Sequence, residues 1–178
     1  MLPVKIATAG AMVAFTPDQI KHYIAGLIDG LVEGNHFDQI EHCLKDTETL
    51  ASEATIAIDD FKKKDLEDIL KGVEEIGLIL QQLPDDTTDC VAMKPEIDRI
   101  VKWSDIFKHP AQLIQKVLVN VVMHIGQIGK DISTIAEDID KHDDYGAGKA
   151  TADLLIQNLG PVPQSVELDP ETIEYTAW

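Results

Sequence analysis

Apolar residues recur along most of this chain at alternating steps of three and four, the periodicity of an α-helix that buries one face. The longest run lies between Pro110 and Asp140, and its members are Ile114, Leu118, Val121, Ile125, Ile128, Ile132, Ile135 and Ile139. This strict 3.5-residue repeat places all eight on one seam. The pattern predicts one helix of roughly 45 Å around which the rest of the chain packs. Only Asn120 is polar between Val117 and Met123, so this part of the rod is expected to be surrounded on nearly every side.

The same spacing predicts shorter helices before and after this rod. Thr16 and Pro17 are the residue types favoured at an N-cap and at the first helical position. Two consecutive helices between Thr47 and Leu83 are expected to form an antiparallel hairpin, the second ended by Pro84 and the acidic turn of Asp85 and Asp86. The predicted helices begin near Thr16, His36, Thr47, Asp65, Pro95 and Pro110, and residues 145–148 are expected to turn the chain into a last helix that ends at Leu159.

No stretch favours β-strands, so the predicted fold is all-α, a single bundle of about six mostly antiparallel helices around the long central helix. Residues 16–160 form the bundle, residues 1–15 an N-terminal arm and residues 161–178 an extended C-terminal tail. We interpret the apolar run 6–15 as a mature arm; the alternative is the remnant of a secretory signal. No apolar run is long enough for a transmembrane helix.

Charge narrows the classes of partner. The chain has 15 Lys and Arg against 32 Asp and Glu, a formal net charge of −17. Such a surface repels phosphate backbones, which argues against binding nucleic acid or anionic membranes.

Motifs for metal binding and catalysis are missing from the sequence. The six histidines contain no pair four residues apart, and there is no Cys-x-x-Cys. The acidic run from Asp138 to Asp144 lacks the Gly and Glu that a calcium loop needs, and it is interpreted as a solvated turn. There is also no nucleophile elbow and no phosphate-binding glycine loop. We expect no metal, no cofactor and no enzymatic activity.

The two cysteines flank the predicted hairpin, Cys43 before it and Cys90 after it. Because the two helices run out and back over similar lengths, both cysteines are expected near the open end, which permits a disulfide. The alternative is two separate buried thiols. A disulfide is favoured, and with it an oxidising compartment, secreted or lumenal.

The pattern CLKD…AIDDFKKKDLEDILKGVEEIGLILQQLPDDTTDC…VKWSDIF resembles a group of small secreted helical proteins of ciliated protists. The resemblance covers most of residues 26–160. It implies secretion and a Cys43–Cys90 bridge, and it supplies no catalytic residues.

Two further features bear on function. Gly126 and Gly129 lie inside the predicted rod, where we expect close approach of a neighbouring helix or, alternatively, a gap that admits a ligand. The proline-punctuated tail contains candidate assembly contacts, which are Val162, Val166, Leu168, Ile173, Tyr175 and Trp178.

The leading hypothesis is a non-enzymatic, acidic structural or interaction protein. It self-assembles into a homo-oligomer or binds protein partners through its terminal arms. The alternative is a carrier of an apolar ligand such as a lipid, held in a pocket between helices at Gly126 and Gly129.

Overall fold

The computed structural model describes residues 15–164, and within this range the chain is all-α, with eight α-helices and no strand. The predicted fold class is therefore confirmed. Two short 3₁₀ turns flank α5, at Val91–Met93 and Ser104–Lys108. The helices are α1 Pro17–Val32, α2 Phe37–Cys43, α3 Thr47–Lys62, α4 Leu66–Asp86, α5 Lys94–Trp103, α6 Pro110–Met123, α7 Ile125–Asp140 and α8 Asp144–Leu159.

The centre of the molecule is the contact between α1 and α8, not the predicted rod. Seven consecutive residues of α1, from Tyr23 to Asp29, are buried, so this helix is enclosed on all sides. Gly26 lies so close to α8 that a Cβ there would overlap the carbonyl oxygen of Tyr145, and a Cβ on Gly148 would overlap that of Tyr23. The two backbones can approach this closely only because both positions lack a side chain.

One buried hydrogen bond joins the same two helices. The Tyr23 hydroxyl lies 2.8 Å from Thr151 Oγ1 in the core. Thr151 donates its own proton to the carbonyl oxygen of Ala147, so Tyr23 is the donor in the first bond. Burial raises the pKa of Tyr23 well above its ordinary value, so the phenol stays protonated and the bond persists.

The start of α1 and the α3–α4 hairpin are as predicted. Thr16 accepts a hydrogen bond from the amide of Gln19, whose side chain bonds back to the Thr16 amide in a capping box. Gln82 donates to Glu53 across the hairpin, which places the end of α4 beside the start of α3. The helix α4 ends at Asp86, within the predicted stop, although Pro84 does not end it by itself and lies in the last turn.

The predicted rod is two helices. At His124 the backbone leaves the helical region, with φ −121° and ψ 29°, and α6 ends while α7 begins. Gly126 and Gly129 follow at once, and each weakens a helix by about 1 kcal/mol relative to alanine. The predicted seam holds in α7, where Ile128, Ile132, Ile135 and Ile139 are buried.

In α6 the predicted seam is wrong. Its buried face is Leu113, Val117 and Val121, of which only Val121 belongs to the predicted seam. Ile114 of the seam is exposed, as is Ile125 at the start of α7. The break changes the rotation of one helix relative to the other, so a repeat that is continuous in sequence is not continuous in space. The expectation that residues 117–123 are surrounded on nearly every side is also wrong.

Cys43 and Cys90 form a disulfide with Cα atoms 5.3 Å apart, which bears out the favoured prediction and the pairing that the resemblance implies. It joins the end of α2 to the chain just after α4 and closes the open end of the hairpin. The amide of Lys45 also donates to the carbonyl oxygen of Asp86, so a backbone hydrogen bond reinforces the same closure.

Replacing both cysteines by serine is expected to lower the free energy of unfolding by about 4 kcal/mol, since the bridge closes a loop with a sequence separation of 47 residues. Urea unfolding monitored by circular dichroism measures the loss. Intact mass after alkylation without reductant is the control, and two alkylated thiols in the native secreted protein would show that the bridge does not form.

Replacing Gly26 and Gly126 by alanine is expected to change the stability of the fold in opposite directions. Gly26→Ala forces α1 and α8 apart and should destabilise the fold by about 1–3 kcal/mol or more. Gly126→Ala meets no atom within 4 Å and improves helix propensity, so it should stabilise by up to about 1 kcal/mol. The midpoints of urea denaturation of the two variants, compared with that of the unmodified chain, measure both changes in stability. An equal decrease of the midpoint in both variants would contradict the assigned packing.

Candidate functional site

The most unusual surface of the molecule is a group of large apolar side chains where α6 meets α7. We call this group the junction face; its members are Ile114, Val119, Val122, Met123 and Ile125, with exposed fractions of 38% to 69%. On α6 Val119 precedes Val122 by three residues and Met123 by four, which makes these side chains neighbours, and Ile114 lies five residues before Val119. Ile125 continues the group across the break at His124. Scattered exposed apolar residues are ordinary, but a contiguous group marks a contact surface.

The charge around the junction face differs from that of the rest of the chain. Residues 106–130 contain no Asp or Glu, although the whole chain carries 32 of them. The same stretch contains Lys108, Lys116 and Lys130 together with two histidines. The stretch of chain that contains the junction face is therefore weakly basic, although the protein as a whole is strongly acidic.

Gly126 and Gly129 do not pack against a neighbouring helix. A Cβ built on either residue meets nothing within 4 Å, so the expected close approach is wrong. Neither glycine lines the two clefts described below. Both lie just beyond the junction face on α7, where their bare backbone widens the accessible surface.

Of the candidate assembly contacts in the tail, only Val162 falls within the described part of the chain. It is buried in the molecule's own core, so it is not available to a second molecule. Val166, Leu168, Ile173, Tyr175 and Trp178 lie outside the described residues, as does the arm before Phe15. Trp103 is buried, and its indole N–H donates to the carbonyl oxygen of Gly160 over 3.1 Å.

A group of polar side chains, which was not predicted from the sequence, surrounds the buried carboxylate of Asp29. Asp29 accepts hydrogen bonds from the His36 amide at 3.0 Å and from the Tyr145 hydroxyl at 2.7 Å. The ring nitrogen Nδ1 of His36 lies 2.6 Å from the same carboxylate, and Nε2 lies 3.4 Å from Glu96. This network ties α1 to α5 and α8 and to the turn before α2.

The geometry around Asp29 fits a structural role. Both nitrogens of the His36 ring face carboxylates, so the ring bridges two acids and has no nitrogen directed at a substrate. Burial, together with the hydrogen bond to Asp29 and its charge, raises the pKa of Tyr145 to about 12, so this phenol remains a hydrogen-bond donor.

A group of acidic residues around Asp86 lies near the disulfide. Asp86 is buried, and its Oδ2 has no hydrogen-bond partner. Burial raises the pKa of Asp86 to about 6, and the nearby charges of Asp46, Asp85 and Glu53 add to this effect. Ionised Asp86 therefore destabilises the folded state at neutral pH.

The pKa of Asp86 predicts the direction of a pH effect. Between about pH 4 and pH 6 the folded protein retains a proton that the unfolded chain loses, so stability falls as pH rises through this window. Asp86→Asn should raise the free energy of unfolding at pH 7.5 by roughly 1–3 kcal/mol. The gain should disappear by pH 3.5.

Urea unfolding at both pH values measures this effect, with Asp140→Asn as the matched control, an exposed aspartate whose charge is not among those that raise the Asp86 pKa. A gain for Asp86→Asn that is the same at both pH values would contradict the assigned cause.

Two of the clefts on the surface of the described residues could be considered as ligand sites. One, of about 230 Å³, lies between α4 and the start of α6 and is lined by Leu78, Phe107 and Leu113, with Glu74 and Glu75 at its edge. The other, of about 220 Å³, lies beside the disulfide, lined by Val91 and Ile97 among others. Both are smaller than the 300–1,000 Å³ of most ligand pockets.

Within residues 15–164 no cluster of three or more His, Cys, Asp or Glu side chains has the arrangement of a metal site. Over the same range, none of the helices combines the length and apolar character needed to cross a membrane. The acidic turn after α7 has a local role, since Asp143 caps α8 by accepting a hydrogen bond from the Gly146 amide.

Comparison with known families gives one match. The model of a family described as SctB-like, secreted protein B-like, matches residues 4–156, which is most of the chain. No curated protein and no solved structure is significantly similar to the chain. The description supports the secreted class that the resemblance implied. It names no organism, so the likeness to proteins of ciliated protists in particular remains a resemblance.

Proposed function

The chain belongs to the SctB-like, secreted protein B-like family, and on this premise we propose that it is a secreted, non-enzymatic protein that binds other proteins, copies of itself included, through the junction face. The observation that carries the proposal is the exposure of Val119, Val122, Met123 and Ile125 at one place on the surface. The disulfide is consistent with an extracellular location.

Burial of the junction face gives a driving force for association. Covering one large aliphatic side chain contributes about 1.5–3 kcal/mol. Val119, Val122 and Met123 are adjacent on one helix, so a single partner surface can cover all three together. Aliphatic side chains at the centre of a contact with polar groups at its edge are the arrangement common to protein interfaces.

The absence of acids near the junction face supports the same proposal. Two molecules with a net charge of −17 repel each other over most of their surfaces. Residues 106–130 add only positive charge, so an approach through this region meets the least repulsion. The charge pattern therefore favours association through the junction face over other orientations.

The contacts of the buried polar side chains support the proposal that the protein is not an enzyme. His36 is held between Asp29 and Glu96, and Tyr23 is occupied with Thr151 in the core. These side chains connect helices to each other. The two described clefts are small, and neither is lined by Asp29, His36, Glu96 or Tyr145.

Val122→Asp is the direct test. Placing a charge at the centre of the junction face should raise the dissociation constant of self-association by about tenfold or more, equivalent to about 1.4 kcal/mol. Sedimentation velocity over a range of protein concentrations measures this.

The matched control is Val91→Asp, which makes the same change at a similarly exposed valine beside the disulfide. It should leave association unchanged. If both variants associate like the unmodified chain, the junction face is not the binding surface.

A further inference from the structure

The chain contains a segment, residues 165–178, whose charge and apolar side chains complement the junction face. We infer that residues 165–178 of a second copy of this protein bind to the junction face, so that copies associate head to tail. This inference rests on the proposed function and specifies its partner.

Charge is the first argument. Residues 165–178 carry Glu167, Asp169, Glu171 and Glu174 and no Lys or Arg. The stretch 106–130, which contains the junction face, has the opposite character, with three lysines and no acid. Most of the remaining chain is acidic and would repel this segment; residues 1–17 are an exception, with one lysine and no acid. The acidic segment and the junction face are therefore electrostatically complementary.

Apolar content is the second argument. The segment also carries Val166, Leu168, Ile173, Tyr175 and Trp178 among its 14 residues. Aromatic side chains such as Tyr175 and Trp178 supply large contact areas at interfaces, and the junction face offers exposed valine and methionine side chains to cover. One short segment thus combines the two properties that the junction face selects, apolar side chains and negative charge.

The direction in which the chain runs before residue 165 favours a second copy of the protein as the source of the bound segment. The carbonyl oxygen of Asn158 accepts a hydrogen bond from Asn120 on α6, close to the junction face. The next two anchors lie on α5, because Trp103 bonds to the Gly160 carbonyl and Arg99 bonds to the Pro163 carbonyl over 2.8 Å. The chain therefore leaves α6 and runs back along α5, away from its own junction face.

Length permits the contact between molecules. A segment of 14 residues reaches at most about 46–50 Å when extended, which is comparable to the width of a small domain. The binding surface and the bound segment are different parts of the chain, so the contact is heterologous, and repetition gives an open chain of molecules or a closed ring.

The test uses two full-length variants and their mixture. The face variant is Val122→Asp with an intact tail. The tail variant combines Ile173→Ser, Tyr175→Ser and Trp178→Ala with an intact junction face. Sedimentation velocity and native mass spectrometry give the mass of each sample alone and of an equimolar mixture, beside the unmodified chain.

Head-to-tail binding predicts that the unmodified chain forms oligomers and that each variant alone is a monomer. The mixture should form a one-to-one dimer and nothing larger, since it contains one working face and one working tail. A synthetic peptide of residues 165–178 should also dissociate the oligomers of the unmodified chain, and a scrambled peptide should not.

Any other outcome contradicts the inference alone or both the inference and the proposed function. If the tail variant alone still associates while the face variant does not, the junction face binds something other than the tail; the inference is then overturned and the proposed function stands. If the face variant alone still associates, both are overturned. A chain that is monomeric at every concentration overturns the second-copy inference, and tail binding within one molecule takes its place.

Discussion

The rest of this structure depends on the close approach of α1 and α8. Gly26 and Gly148 let the two backbones come into direct contact, and the Tyr23–Thr151 hydrogen bond fixes their register. A methyl group at either glycine would meet a carbonyl oxygen of the other helix, which cannot move without separating the pair. The other helices pack around this pair, and α6 reaches it with one face only, which leaves its opposite face without cover.

Much of the fold could be predicted from local signals. The Thr16 cap and the two helices of the α3–α4 hairpin follow from residue types and spacings over short stretches, and the Cys43–Cys90 bridge follows from the position of the two cysteines on either side of that hairpin. Local chemistry decides these features, and the tertiary structure did not override them. The resemblance to small secreted proteins added the pairing of the cysteines.

The central pair and the candidate site were not predicted, for a different reason. A heptad repeat states which residues share a side of an ideal helix, but it does not state whether the helix stays straight. His124 breaks α6 from α7, so Ile114 and Ile125 of the predicted seam became surface residues. The signal for the true centre was the four-residue spacing of Gly26 with Gly30 and of Gly148 with Ala152, which permits close packing on both helices.

The central claim is that the apolar, acid-free junction between α6 and α7 is a binding surface. Amide hydrogen exchange of the full chain, compared at low and high protein concentration by mass spectrometry, tests it directly. The account predicts slower exchange at high concentration for residues 117–130 and unchanged exchange in α3. Association accompanied by protection only in other helices, with residues 117–130 unaffected, would contradict it.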